Sequence, residues 1–191
     1  MKHLDAIGQN IERIEQALAQ DGFNITNRVG EFKKTKLQGY LYTSYFLYVD
    51  DTNKKWLLTS PLLSSMEKVR DFGDLLSYDV FDIDGKNLGG STFRAMSFGI
   101  GKHMSAGASA SAAYGFSLSI KRSDGFGAAD LKFDFMDAAS QFISQANISK
   151  FQKFAVATMG DRQRSDPLYR KDIAAMGEMA TVFDRIIRAN T

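Results

Sequence analysis

A chain of 191 residues, 44% hydrophobic and 24% charged, has the size and composition of one globular domain with its own core, which excludes a disordered or fibrous chain. Its 24 basic and 22 acidic residues leave a formal charge of +2, too little for a polyanion-binding surface, so no nucleic-acid partner is expected. The absence of cysteine removes disulfides, thiolate zinc sites and cysteine nucleophiles together, and suits a reducing compartment.

The opening Met1-Lys2-His3-Leu4-Asp5 lacks the basic segment, apolar run and small-residue cleavage site of a secretory signal, so a cytoplasmic location is expected. The first element is a helix. Ile7, Ile11, Ile14 and Leu18 recur at the spacing of one helical face, and Asp21-Gly22 supplies the glycine that closes a helix in the left-handed conformation. Packing on its own domain explains the stripe better than a coiled coil, for which barely two heptads are present. Residues 26–36 follow as a mostly polar, solvated loop carrying Arg28, Lys33, Lys34 and Lys36. Clustered lysines are point charges for anionic groups, so Lys33, Lys34 and Lys36 are the candidate contacts for an anionic lipid headgroup or phosphate.

Residues 40–49 read as a strand dense in aromatics. Alternation puts Tyr40, Tyr42, Ser44, Phe46 and Tyr48 on one face and Leu41, Thr43, Tyr45, Leu47 and Val49 on the other, so both faces are apolar. A ligand-stacking platform is one reading; a core on one face and a covering helix on the other is the simpler one. The turn Asp50-Asp51-Thr52-Asn53 leads to a second strand over residues 55–59, in which Trp56 packs with the aromatics. Asp71-Phe72-Gly73-Asp74-Leu75-Leu76-Ser77 then introduces a third strand, residues 78–83, making an antiparallel meander.

Residues 104–120 are uncharged, near the shortest membrane span, but the Ala, Ser and Gly of residues 105–113 give little drive into lipid. Around Gly99-Ile100-Gly101-Lys102 a phosphate loop is refused by spacing: Met96 stands where the first glycine belongs and His103 where the hydroxyl belongs. The dinucleotide pattern fails at Met104. Asp82-Ile83-Asp84-Gly85 opens like a calcium loop but lacks the later ligands and terminal glutamate, so a structural turn is expected and no metal site. Phe116, Leu118 and Ile120 alternate with Ser117, Ser119 and Lys121 in a half-exposed strand. Across Ser123-Asp124-Gly125, Leu131, Phe133 and Phe135 alternate likewise, completing a second hairpin; residues 138–160 support helix and strand equally.

The last element is a helix. Ser165 or Asp166 caps it, Pro167 suits its first turn, and Ile173, Met176, Met179, Ala180, Phe183, Ile186 and Ile187 form its apolar stripe as it runs to about Ala189. Met176 and Met179, with Met159, either fill core gaps, the commoner use, or line an adaptable groove. With only His3 and His103, a histidine triad or multi-histidine metal site has no material, and no catalytic residue is assigned.

The strand pattern, the phrase Phe72-Gly73-Asp74-Leu75-Leu76-Ser77-Tyr78 leading into a strand, and the long terminal helix together resemble PH-like barrel domains of bacterial proteins of unknown function, over residues 39–190. The resemblance implies an α+β fold: an antiparallel β-barrel with an N-terminal helix and a C-terminal helix capping one open end. A glycine- and alanine-rich insertion often follows the third strand in such proteins, and residues 89–115 match it; the cysteine zinc module that some carry is missing here. The division expected is an N-terminal helix and basic linker over residues 1–38 and a PH-like domain over residues 39–191. The function expected is a non-catalytic binding or interaction module with a protein partner and no cofactor. The alternative is a membrane-surface protein that engages anionic lipid through Lys33, Lys34 and Lys36.

Overall fold

The computed structural model describes residues 2–35, 39–43, 45–61, 67–82, 114–122, 127–134 and 167–190. Along the chain these form α1 (Lys2–Gln20), β1 (Asn27–Val29), β2 (Phe32–Thr35), β3 (Gly39–Tyr42), β4 (Phe46–Asp50), β5 (Lys55–Thr59), β6 (Arg70–Asp71), a 3-10 turn (Phe72–Asp74), β7 (Leu75–Asp82), β8 (Tyr114–Lys121), β9 (Ala128–Asp134) and α2 (Pro167–Arg188). The class is α+β. All strand pairings are antiparallel: a first sheet in the order β1-β4-β5-β6, a hairpin of β2 with β3, and a second sheet in the order β7-β8-β9. Among the described residues no pairing closes these sheets into a barrel.

Two apolar clusters lie on opposite faces of the first sheet. On one face Phe46, Tyr48 and Leu57 meet Ile7, Ile11, Ile14 and Leu18 of α1, with Phe23 beyond the helix end. The stripe predicted from sequence is therefore the buried face of α1. The helix ends at Gly22, whose φ of 74° is open to glycine at little cost. On the other face Val29, Leu47, Val49, Trp56 and Leu58 join Val80, Phe116, Leu118 and Ile120 of the second sheet, and Met176, Met179, Ala180, Phe183 and Ile186 of α2 fill the space between the sheets. Both methionines are wholly buried, so they fill core.

Alternation along β4 and β5 explains why a two-faced apolar strand is stable here: each face has its own cover. Phe46 pairs with Thr59 and Val49 with Trp56, so the two strands present matched faces. Trp56 stands edge-on to Phe183, ring centroids 6.0 Å apart, and its indole N–H donates to the Asp71 carbonyl at 3.1 Å.

Three expectations are corrected. The aromatic run is two strands, β3 and β4, broken at Thr43, whose buried hydroxyl receives the Glu31 N–H at 3.1 Å and donates to the Tyr45 carbonyl at 3.0 Å. Opposite the break, Gly30 has φ of 132°, and a Cβ there would stand 2.8 Å from the Phe46 ring, so the kink needs glycine. The polar stretch expected as a loop supplies β1 and β2; Val29 alone of β1 is buried, so edge strands of three and four residues need little apolar sequence. The third strand of the expected meander begins at Leu75 rather than Tyr78 and does not extend the β4–β5 pair: it opens the second sheet by pairing with β8, with an irregularity at Leu75/Ser77 beside the exposed Leu76. The pairings of β1 with β4 and β2 with β3 join residues 27–35 to residues 39–50.

The expected strand and hairpin over β8 and β9 are present, with Phe116, Leu118 and Ile120 buried. Ser123-Asp124-Gly125, residues 89–113, residues 138–160 and the proposed caps Ser165 and Asp166 lie outside the described residues. Among the described residues no helix is long and apolar enough to cross a membrane.

Thr59 leaves a testable mark on this core. Its residue is wholly buried, and among the described residues its hydroxyl has no hydrogen-bond partner. Desolvating a hydroxyl without replacing its hydrogen bond is unfavourable, so Thr59→Val is expected to stabilise the protein by about 1 kcal/mol. A thermal melt that falls below wild type would show that the hydroxyl is satisfied after all.

Candidate binding groove

α2 presents more than its buried stripe. Ala174, Gly177, Glu178 and Thr181 fall at i, i+3, i+4 and i+7 and so share the flank beside that stripe. β1, the outermost strand of the first sheet, runs beside this flank, and Asn27 and Val29 point toward it. Between them lies an open groove of about 400 Å³, with Val182 completing its wall. Val29, Gly177 and Val182 are buried, whereas Ala174, Glu178 and Thr181 are exposed along the rim.

The helix side of the groove depends on small residues. Glycine within a helix costs about 1 kcal/mol relative to alanine, so Gly177 is not there for helix propensity. The Thr181 hydroxyl donates to the Gly177 carbonyl at 3.0 Å, which satisfies the hydroxyl within the helix. Gly177 in the middle of an otherwise strong helix was the signal in the sequence that could have located this site.

Two further polar clusters tie the first sheet to its neighbours. Glu15 of α1 receives Arg28 at 2.7 Å and the Tyr48 hydroxyl at 3.3 Å, while the Arg28 guanidinium stands 5.8 Å from the Phe46 ring centroid. Burial, followed by the Glu15 charge, pushes the Tyr48 phenol far above its ordinary range, so it serves as a neutral donor. At the β4–β5 turn, Asp50 is closed off from solvent and accepts hydrogen bonds from the Asn24 N–H at 2.8 Å, the Asn53 N–H at 2.8 Å and the Asn53 side-chain amide at 2.7 Å. Burial alone would raise its carboxyl pKa, but the hydrogen bonds from Asn53, Asn24 and Thr52 outweigh that and hold it below the usual carboxylate range. Beside it, Asp51 pairs with Arg185 of α2 at 3.0 Å. These groups are consumed by the fold.

Of the lysines chosen from sequence, Lys33 is not among the described residues that line the groove. Lys33 is exposed on β2 and pairs with Glu31 at 3.6 Å. Lys34 belongs to β2 with its side chain outside the described residues, and Lys36 lies wholly outside them. Of the histidines, His3 is placed only as a backbone position of α1, and His103 lies outside the described residues. Among the described residues no cluster of three His, Cys, Asp or Glu has the proximity to hold a metal ion.

Compared with family models, with curated proteins and with solved structures, the chain matches none.

Proposed function

We propose that this chain is a non-catalytic interaction module on a PH-like framework, and that a protein partner docks in the groove between β1 and α2. The PH-like reading is supported by chain order: with the β2–β3 hairpin set aside, a four-stranded meander is followed by a three-stranded one and then by a terminal helix packed between the sheets. The observation that carries the interaction reading is the groove itself, a concave surface flanked by a sheet-edge strand and a helix. Anionic lipid has less support as the partner, because Lys33 already faces the carboxylate of Glu31.

Ala174→Trp tests the docking face. Ala174 is exposed on the groove rim, so an indole there fills the groove without entering the core. Short random peptides displayed on phage are selected against the immobilised wild-type protein and counter-screened on the variant. The expected result is a set of peptides that bind wild type and lose roughly tenfold or more in affinity on Ala174→Trp, at an unchanged melting temperature. Peptides that bind both proteins equally, or no enrichment at all, would remove the groove as the docking face.

A further inference from the structure

We infer that the groove between β1 and α2 takes an extended peptide whose main chain lies along β1 and whose Lys or Arg side chain meets Glu178. The inference rests on the docking reading above and names the class of partner. β1 is the terminal strand of its sheet, and among the described residues its one ladder partner is β4. A terminal strand offers backbone donors and acceptors along its free edge, which an extended chain satisfies by adding a further strand. The flank of α2 beside it carries the small residues Ala174 and Gly177, which keep the groove open.

Charge decides which peptide. Among the described residues that line the groove Glu178 brings the only formal charge, and it has no hydrogen bond or ion pair with another described residue. Two cations near the walls whose side chains are described are engaged elsewhere: Arg28 holds Glu15 at 2.7 Å and Arg185 holds Asp51 at 3.0 Å, while the Lys171 side chain lies outside the described residues. The Thr181 hydroxyl already donates to the Gly177 carbonyl, so it is not free to neutralise the carboxylate by donation. Asn27, on the opposite wall, has a carboxamide with no partner among the described residues, available to a peptide amide. An apolar floor, an unmatched carboxylate on one wall and a free amide on the other complement a basic residue within an otherwise uncharged extended segment.

The test uses the full chain and one peptide from the phage selection, labelled for fluorescence anisotropy. It is compared with versions in which its basic residue is replaced by glutamine or glutamate, on wild type, Glu178→Gln and Glu178→Lys. Glu178 is exposed, so the variants are expected to melt as wild type does. An exposed ion pair contributes modestly, and roughly a threefold to fivefold weakening on Glu178→Gln is expected, falling away at high salt. Glu178→Lys should weaken the basic peptide further and restore binding to its glutamate version. If affinity ignores every Glu178 change while Ala174→Trp still abolishes binding, the basic-peptide inference fails and the groove stands. If Ala174→Trp leaves binding intact, both fail. Concentration-dependent self-association that Ala174→Trp abolishes would make a second copy of the chain the occupant and overturn the inference.

Discussion

Phe183→Ala is expected to destabilise the protein by about 4 kcal/mol and to lower its melting temperature by roughly 10 °C. Phe183 is wholly buried on α2, with ring centroids 6.0 Å from Trp56 of the first sheet and 5.4 Å from Phe116 of the second. Tyr78 approaches it at 5.6 Å. The ring thus touches three aromatic partners from three strands, and its removal leaves a void that neither sheet fills without moving toward α2. Both near-perpendicular contacts are edge-to-face, an arrangement that adds to burial alone. Chemical denaturation of the variant measures the loss. A loss below about 1.5 kcal/mol would mean that the sheets are held together by something other than the stripe on α2.

The second large effect belongs to Asp50. Asp50→Asn replaces one accepting oxygen by a donor facing the donors of Asn24 and Asn53, and a loss of about 2 kcal/mol at neutral pH is expected, moderated because Asn24 and Asn53 are themselves exposed. The sign of the pH dependence follows from the lowered pKa of the folded carboxyl. A carboxyl that ionises more readily when folded stabilises the fold at every pH above its unfolded pKa, about 4. That contribution is lost as pH falls through the lower folded value. Wild type should therefore lose more stability between about pH 6 and pH 3 than Asp50→Asn, and the two melting temperatures should converge toward acid. Parallel curves would show that Asp50 does not carry this share of the acid sensitivity.

What the sequence made legible was whatever it wrote as a strong period. The α1 stripe at Ile7, Ile11, Ile14 and Leu18, the alternation of Phe116, Leu118 and Ile120, and the stripe of α2 each put many apolar residues on one face, and tertiary packing follows that face. Even the two-sided aromatic strand was readable as a layer with a helix behind it, because no polar face remained to meet water. Where pairing rather than burial makes the strand, the pattern is silent. β1 and β2 are strands because β4 and β3 stand beside them, and β6 is two residues long. The break at Thr43 was hidden for the same reason: a threonine in a β-branched and aromatic run looks like any strand residue until its hydroxyl is seen taking the Glu31 amide. The groove was invisible for a different cause. It is defined by what Ala174 and Gly177 leave empty, and composition records the side chains present, not the space between two elements brought together from far apart in the chain.

The layering also sets an order on synthesis. α1 is translated before any strand that covers it, and its apolar stripe has no wall until residues 46–57 have been made. A helix of 19 residues is marginal alone in water, so in the growing chain Ile7, Ile11, Ile14 and Leu18 stay available to solvent or to a chaperone until β4 and β5 pair. α2 meets the opposite circumstance: both sheets that receive it have already been made when it is translated. The hydrogen bond from Tyr78 to Asp184 spans 106 residues of sequence, so consolidation of the main core waits on a helical turn translated long after the strand it joins.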